Sequence, residues 1–343
     1  MTNNSAPAEA FGGLNLIGDY TEVAEGFVLS AKVPLQMSVS VELTDSGELV
    51  GATSIMPSKK TRGLNTDKDG SWTDYIIGCV REIEKLDHKI SGLNVAVQSD
   101  VPMGIGLGSS SALTVATLKA LRASLNLGMS DMDIVRLSQK VETEFMQRES
   151  GLIEPLTASM QAQEDALFFD ARTLETKTVS LMDTHSIAVI NTGEKSQAMT
   201  HEIEGRIEAF SRAAEAFGID ALRDADMGMV LQLEGLDGDR ARHVVRENEL
   251  VLDATQALED GDVEFFGELL TESHFSKSKD LKVSTPKIDH MVQVLNDNGA
   301  LGCKLAGRGF GGCILALVEN GLETKMLAGA KAVDEKASLI TCL

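Results

Sequence analysis

The chain has 343 residues and carries 31 basic against 52 acidic side chains, a formal net charge of −21. With 43% hydrophobic and 24% charged residues, six prolines and no low-complexity tract, it has the composition of a folded protein of one large or two ordinary domains. The negative field argues against nucleic acid and anionic membrane surfaces as partners, although a small phosphorylated ligand can still bind where a glycine loop and a metal ion offset that field locally.

Much of the acidity lies on helical faces such as HEIEGRIEAF and reads as solvated surface. Cys79, Cys303, Cys313 and Cys342 show no CxxC spacing, no basic patch precedes an apolar run at the N-terminus, and no apolar stretch is long enough to cross a bilayer. A reduced, cytoplasmic protein is expected.

In chain order, GFVLSAKVPLQMSVSVEL alternates apolar and polar residues in its second half and reads as paired strands. SGLNVAVQSDVPMG is a further strand, and it runs straight into PMGIGLGSSSAL (102–113). From VATLKALRASL through MSDMDIVRLSQKVETEFMQR the spacing becomes helical, so the glycine loop joins a strand to a helix. Glycines at 104, 106 and 108 let backbone N–H groups approach a ligand, and a helix start adds unpaired donors and partial positive charge. A phosphate fits such a loop; a tight strand-to-helix turn with a serine cap uses the same residues.

Residues 166–195 return to strand-like alternation, and a long helical stretch follows from EIEGRIEAFSRAAEAFG to ENELVLDATQALEDGD, with no proline between Pro155 and Pro286. KLAGRGFGGCILALV then places a second glycine-rich turn before a buried apolar run. No internal repeat is visible, and a domain boundary is placed near residue 170, giving domains 1–170 and 171–343.

Three glycine-bearing segments in order, GGLNLIGDYTEVAEGFVL (12–29), SDVPMGIGLGSSSAL (99–113) and KLAGRGFGGCILALV (304–318), resemble the signature segments of the GHMP small-molecule kinases. Their detail resembles the galactokinase branch, as do WTDYIIG (72–78), GLIEPLTASMQAQEDALFFDARTLE (151–175), RARHVVRENE (240–249) and ESHFSKSKDLKVSTPKID (272–289) between them. The resemblance implies an α+β protein of two domains, an N-terminal ribosomal-protein-S5-like one and a C-terminal ferredoxin-like one, with the active site in the interdomain cleft. It also implies ATP and Mg²⁺, a sugar or sugar-like substrate phosphorylated at the anomeric hydroxyl, and a monomer or weak homodimer.

Residue by residue, the resemblance places Gly104, Gly106, Gly108, Ser109 and Ser110 at the ATP phosphates, Ser110 and Glu142 at magnesium, and Trp72 beside adenine. Hard oxygen donors suit Mg²⁺. Taken alone, Glu142 reads as a surface helix carboxylate, Trp72 as a core aromatic, and the turn Gly307–Gly312 as a close helix–sheet contact.

The match departs from the family at three places. Glu154 and Pro155 stand where the family has Asp-Gln, so the carboxylate that meets the sugar hydroxyl sits on a longer arm; a shift of ~1 Å can cost on the order of 10²-fold. Gly13 replaces the family's basic residue, and Arg308 is the candidate replacement cation, for the transferring phosphoryl group or for a substrate carboxylate. The family's Glu-His-x-Asp at the sugar reads Asp19-Tyr20-Thr21-Glu22, which argues against unmodified galactose as the best substrate. Asp19 and Glu22 also read as ordinary turn carboxylates, Tyr20 as a packed aromatic and Glu154 as a solvent-facing loop residue. The leading expectation is a sugar kinase; its rival is a catalytically silent sensor of sugar and nucleotide.

Overall fold

Alternating burial along AEAFGGLNLI draws out strand β1 (Ala8–Ile17), and the chain passes through a single 3₁₀ turn (Glu22–Ala24) into β2 (Phe27–Leu43) in a computed structural model that describes residues 6–160, 165–196 and 200–343. The stretch expected to form paired strands is therefore one strand of 17 residues. It changes partner midway: residues 27–31 pair with 166–170, and residues 37–43 with 93–99. Pro34, which has no N–H to give a ladder, falls between those two ladders.

The chain folds into two compact units. The first takes the described parts of 1–13, 34–102 and 108–161. Its elements beyond the early strands are β3 (Glu48–Thr53), β4 (Met56–Gly63), α1 (Thr73–Glu84), β5 (Leu93–Ser99), α2 (Ser109–Ser124), α3 (Asp131–Lys140), a π-helical turn (Val141–Phe145) and α4 (Ile153–Ser159). The strand order is β4-β3-β5-β2, with β3 and β5 parallel and the other pairs antiparallel. Helix α2 packs against α1, α3 and α4, and its residues 111–118, 120 and 121 are all buried. A stretch this apolar and small on most sides belongs at the centre, and Lys119, Arg122 and the exposed Ala123 mark the part of α2 that reaches its edge.

The second unit takes the described parts of 14–33, 103–107 and 162–343. A single cut near residue 170 does not describe this division, because pairing of residues 27–31 with β6 (Asp165–Asp170) draws an N-terminal segment into the C-terminal unit. After β7 (Thr176–Ser180) and β8 (His185–Asn191) come α5 (Thr200–Phe217), α6 (Met227–Val230), α7 (Gly235–Asp260) and α8 (Val263–Lys279). The chain ends with α9 (Pro286–Asp297), β9 (Gly302–Leu305), β10 (Cys313–Glu319), α10 (Glu323–Val333) and β11 (Ser338–Cys342).

Strands β11-β8-β10-β9 form an antiparallel sheet. Alternate residues Ile314, Ala316 and Val318 of β10 join one apolar core with Ile288, Met291 and Leu295 of α9 and Met326 and Ala330 of α10. Helix α9 starts where its sequence says it should, with Thr285 accepting from Ile288 N–H and Pro286 in the first turn. Among the described residues no helix is long and apolar enough to cross a membrane.

Candidate functional site

The glycine loop enters α2 without a serine cap. Gly104, Gly106 and Gly108 all have left-handed φ, and Gly108 itself is the N-cap, with no side chain bonded to the helix start. The three serines lie inside the first turn instead, where the leading N–H groups of a helix have no intrahelical acceptor. A glycine cap leaves those donors open to an anion, which the serine-capped alternative would not. At φ +63 only glycine is unstrained, and a Cβ on Gly108 would lie 3.3 Å from the Gly13 carbonyl oxygen and 3.4 Å from its nitrogen. Position 13, where the family carries a cation, here presents backbone to the loop.

Ser111, the third serine, is fully buried and donates to Glu154 Oε2 across a long 3.4 Å contact. Glu154 is half-buried in the first turn of α4. The contact brings the expected hydroxyl-orienting carboxylate to the first turn of α2. Ser109 and Ser110 are the serines expected at the phosphates; the third of the run, Ser111, is the one that bonds Glu154.

Glu142 lies on the π-helical turn and is buried at 5% exposure. Such turns widen a helix locally and recur at functional sites. Helix α1 comes so close there that a Cβ on Gly78 would lie 2.6 Å from Val141 Cγ1. Among the described residues no cluster of three or more His, Cys, Asp or Glu could hold a metal. Ser110 and Glu142, the hydroxyl and carboxylate expected at magnesium, both lie in the first unit and are hard oxygen donors of the kind Mg²⁺ takes.

Trp72 stands at the start of α1, half-buried, with its ring close against Gly51: a Cβ there would lie 2.7 Å from the Trp72 ring carbon Cη2. The loop before it is fixed by Asp74, which accepts from the Arg62 guanidinium at 2.5 Å and from Gly70 N–H at 2.8 Å.

In the second unit, Asp19 has 3% exposure, and both Lys277 Nζ and Lys304 Nζ donate to its Oδ2 at 2.8 Å. Burial pushes its carboxyl up, but the two ammonium groups outweigh this and hold it below the usual carboxylate range. The carboxylate expected at a sugar hydroxyl is therefore enclosed between two lysines. The backbone around it is tied as closely, since Glu247 Oε2 accepts from Gly18 N–H at 2.7 Å and Asp19 N–H at 3.2 Å. His243 Nε2 contacts the Asp19 carbonyl at 3.0 Å, an atom that only accepts, so Nε2 carries the proton. Burial keeps this imidazole neutral by lowering its pKa from 6.5, and its Nδ1 accepts from Ser276 Oγ at 2.8 Å.

Tyr20 follows in a left-handed conformation, φ 69, which costs a non-glycine residue roughly 1–2 kcal/mol. Its ring meets Phe210 and His243 edge-on, and its hydroxyl donates to the Arg308 carbonyl at 2.9 Å. Burial pushes the phenol up, and it remains protonated. Glu22 opens the 3₁₀ turn, half-buried. Arg308 is half-buried, and among the described residues no carboxylate pairs with it.

The turn that carries Arg308 also touches the glycine loop within this unit: a Cβ on Gly312 would lie 2.9 Å from the Ile105 carbonyl oxygen. The second unit thus joins Asp19, Tyr20 and Arg308, and the first joins Glu154 to the start of α2 through Ser111.

Profiles for the N-terminal and C-terminal domains of GHMP kinases match residues 74–160 and 254–330. A galactokinase of Mannheimia succiniciproducens is 33% identical over 322 residues, covering 89% of this chain and 83% of the relative. A galactokinase of Glaesserella parasuis is likewise 33% identical, covering 90% and 84%. The crystal structure of Lactococcus lactis galactokinase, complexed with galactose, superposes with a TM-score of 0.89 at 23% identity, over 97% of this chain and 92% of that one, and shares its fold. The chain belongs to the GHMP kinases, in their galactokinase-like branch.

Proposed function

We propose that the protein transfers the γ-phosphoryl group of ATP to a sugar hydroxyl, at the anomeric carbon if it follows the galactokinases it is similar to. The observation that carries this reading is the glycine-capped start of α2, where N–H donors left without a side-chain cap suit phosphate, with Glu154 bonded to the same helical turn. The glycine loop and the first turn of α2 bind the phosphates. Glu154 accepts and orients the hydroxyl proton while the sugar oxygen bonds to Pγ and the Pγ–Oβ bond breaks, leaving ADP. Ser110 and Glu142 hold Mg²⁺, which neutralises charge on the phosphates when bound. Positioning and electrostatics dominate in such transfers, so the longer arm of Glu154 matters through where it puts the carboxylate.

Arg308 supplies the cation absent at Gly13. Arg308→Ala is expected to lower kcat by roughly 10–10² with neutral sugars, since a charge stabilising the transferring group acts on the transition state. Unchanged kcat with a raised KM confined to acidic sugars would assign Arg308 to a substrate carboxylate instead.

Trp72 stacks on adenine. As the chain has one tryptophan, its emission should change on ATP addition. Gly51→Ala, which displaces the ring, should weaken ATP binding about two- to ten-fold, the loss of ~0.5–1.5 kcal/mol of stacking. An emission spectrum indifferent to ATP would return Trp72 to the core.

The reaction is tested by incubating the protein with Mg-ATP and a panel of neutral, acidic and amino monosaccharides, galactose included, and following the phosphorus spectrum. A new sugar phosphomonoester, acid-labile if anomeric, is expected with one of them. ADP formed only by ATP hydrolysis would contradict the proposal.

A further inference from the structure

Lys277 lies in the last turn of α8, fully buried, and its ammonium group has three acceptors: Asp19 Oδ2 at 2.8 Å, the Leu305 carbonyl at 2.8 Å and the Gly307 carbonyl at 2.6 Å. It thereby bonds both to Asp19 and to the glycine turn at 307–312. The turn is tied by its other carbonyls as well, Arg308 O to the Tyr20 hydroxyl and Gly309 O to Ser196 Oγ at 3.0 Å. Four of its residues, Gly307, Gly309, Gly311 and Gly312, are glycines with positive φ, and Phe310 shares that conformation at φ 58. Such a chain has little stiffness of its own, so its shape comes from these ties.

We infer that Lys277 is a positioning residue for sugar binding, fixing the glycine turn to the Asp19–Tyr20 segment so that Tyr20 and Arg308 keep one arrangement. The inference rests on the proposed sugar kinase reaction for its kinetic consequence, but its structural consequence stands apart from any substrate. Lys277 touches no reacting group. Its three acceptors saturate its three N–H donors, which leaves it no capacity to bind a ligand and makes it a fastening.

The substitution Lys277→Met tests this without stranding a charge. Asp19 keeps Lys304 as a one-to-one partner, whereas Asp19→Asn would leave two buried ammonium groups facing each other. Two amides in the turn report its integrity, Phe310 N–H on the Val283 carbonyl at 2.8 Å and Gly312 N–H on the Glu194 carbonyl at 2.9 Å. In Lys277→Met, hydrogen exchange at these amides should accelerate at least about ten-fold, with α2 unchanged. KM for galactose, or for whichever panel sugar turns over best, should rise about ten-fold or more, with KM for ATP within about two-fold.

Tyr20→Phe removes one hydroxyl and no packing, and serves if Lys277→Met does not fold; it should produce the same sugar-only KM shift, smaller in size. Acceleration of exchange throughout the unit, equal shifts in both KM values, or no change in either readout would overturn the inference. If the unmodified protein turns over no sugar, the proposed reaction fails, and the exchange measurement alone decides the role of Lys277.

Discussion

Glu154→Gln is expected to lower kcat by on the order of 10², with ATP affinity held within about two-fold. The amide keeps the length and shape of the side chain and can still accept from Ser111 Oγ, so the first turn of α4 and its contact with α2 survive. What it loses is the negative charge and the capacity to take a proton. In phosphoryl transfer little proton movement precedes bond formation to phosphorus, which places the expected loss at the lower end of the range for general bases. Ser111→Ala separates the two contributions, because it frees the carboxylate without neutralising it; a loss of a few-fold, far below that of Glu154→Gln, is expected from reduced positioning. A Glu154→Gln variant with kcat within about three-fold of the parent would remove Glu154 from the reaction and make its contact with Ser111 purely structural.

Glu142→Gln is expected to raise the half-saturating Mg²⁺ concentration at fixed ATP by roughly ten-fold or more and to lower kcat by about 10². The carboxylate is buried, and the turn that carries it is set by the close approach of Gly78 to Val141 and Phe145. An amide offers one neutral oxygen in place of an anionic pair, so affinity for a hard dication falls while the packing of the turn is kept. Calorimetric titration of ATP in the presence and absence of Mg²⁺ gives the second readout: the parent should bind more tightly with the ion, and the variant should lose most of that difference. An unchanged Mg²⁺ dependence in a folded variant would assign Glu142 to the packing of the turn.

The strand, loop and helix of the candidate site were legible because they are local in sequence. The strand, the three alternate glycines and the helix that follows occupy 93–124 without interruption, and glycine at each alternate position permits the left-handed φ that all three adopt. The cap was not legible, since both a serine and a glycine stood at the boundary, and only the fold shows that the helix begins at Ser109. Periodicity likewise reports which face of a strand is buried and says nothing of its partner. That is why β2 read as two strands when it is one strand serving two ladders.

The fate of Asp19 lay furthest from view. Its partners are 258 and 285 residues away, and Lys277 sits in ESHFSKSKD, where a lysine on a helix is by default solvated. A run of polar residues cannot announce that one of them points inward. The family resemblance supplies the expectation that Asp19 meets the sugar, and the fold sets its carboxylate against the ammonium groups of Lys277 and Lys304.

The most direct test of the kinase reading is the initial rate of ADP release at saturating Mg-ATP as each panel sugar is raised from zero. A rate that rises hyperbolically with one sugar and collapses in Glu154→Gln is the result expected. Saturable binding of both ATP and that sugar, with ADP release no faster than in the absence of sugar, would contradict it and describe a protein that senses the pair without joining them.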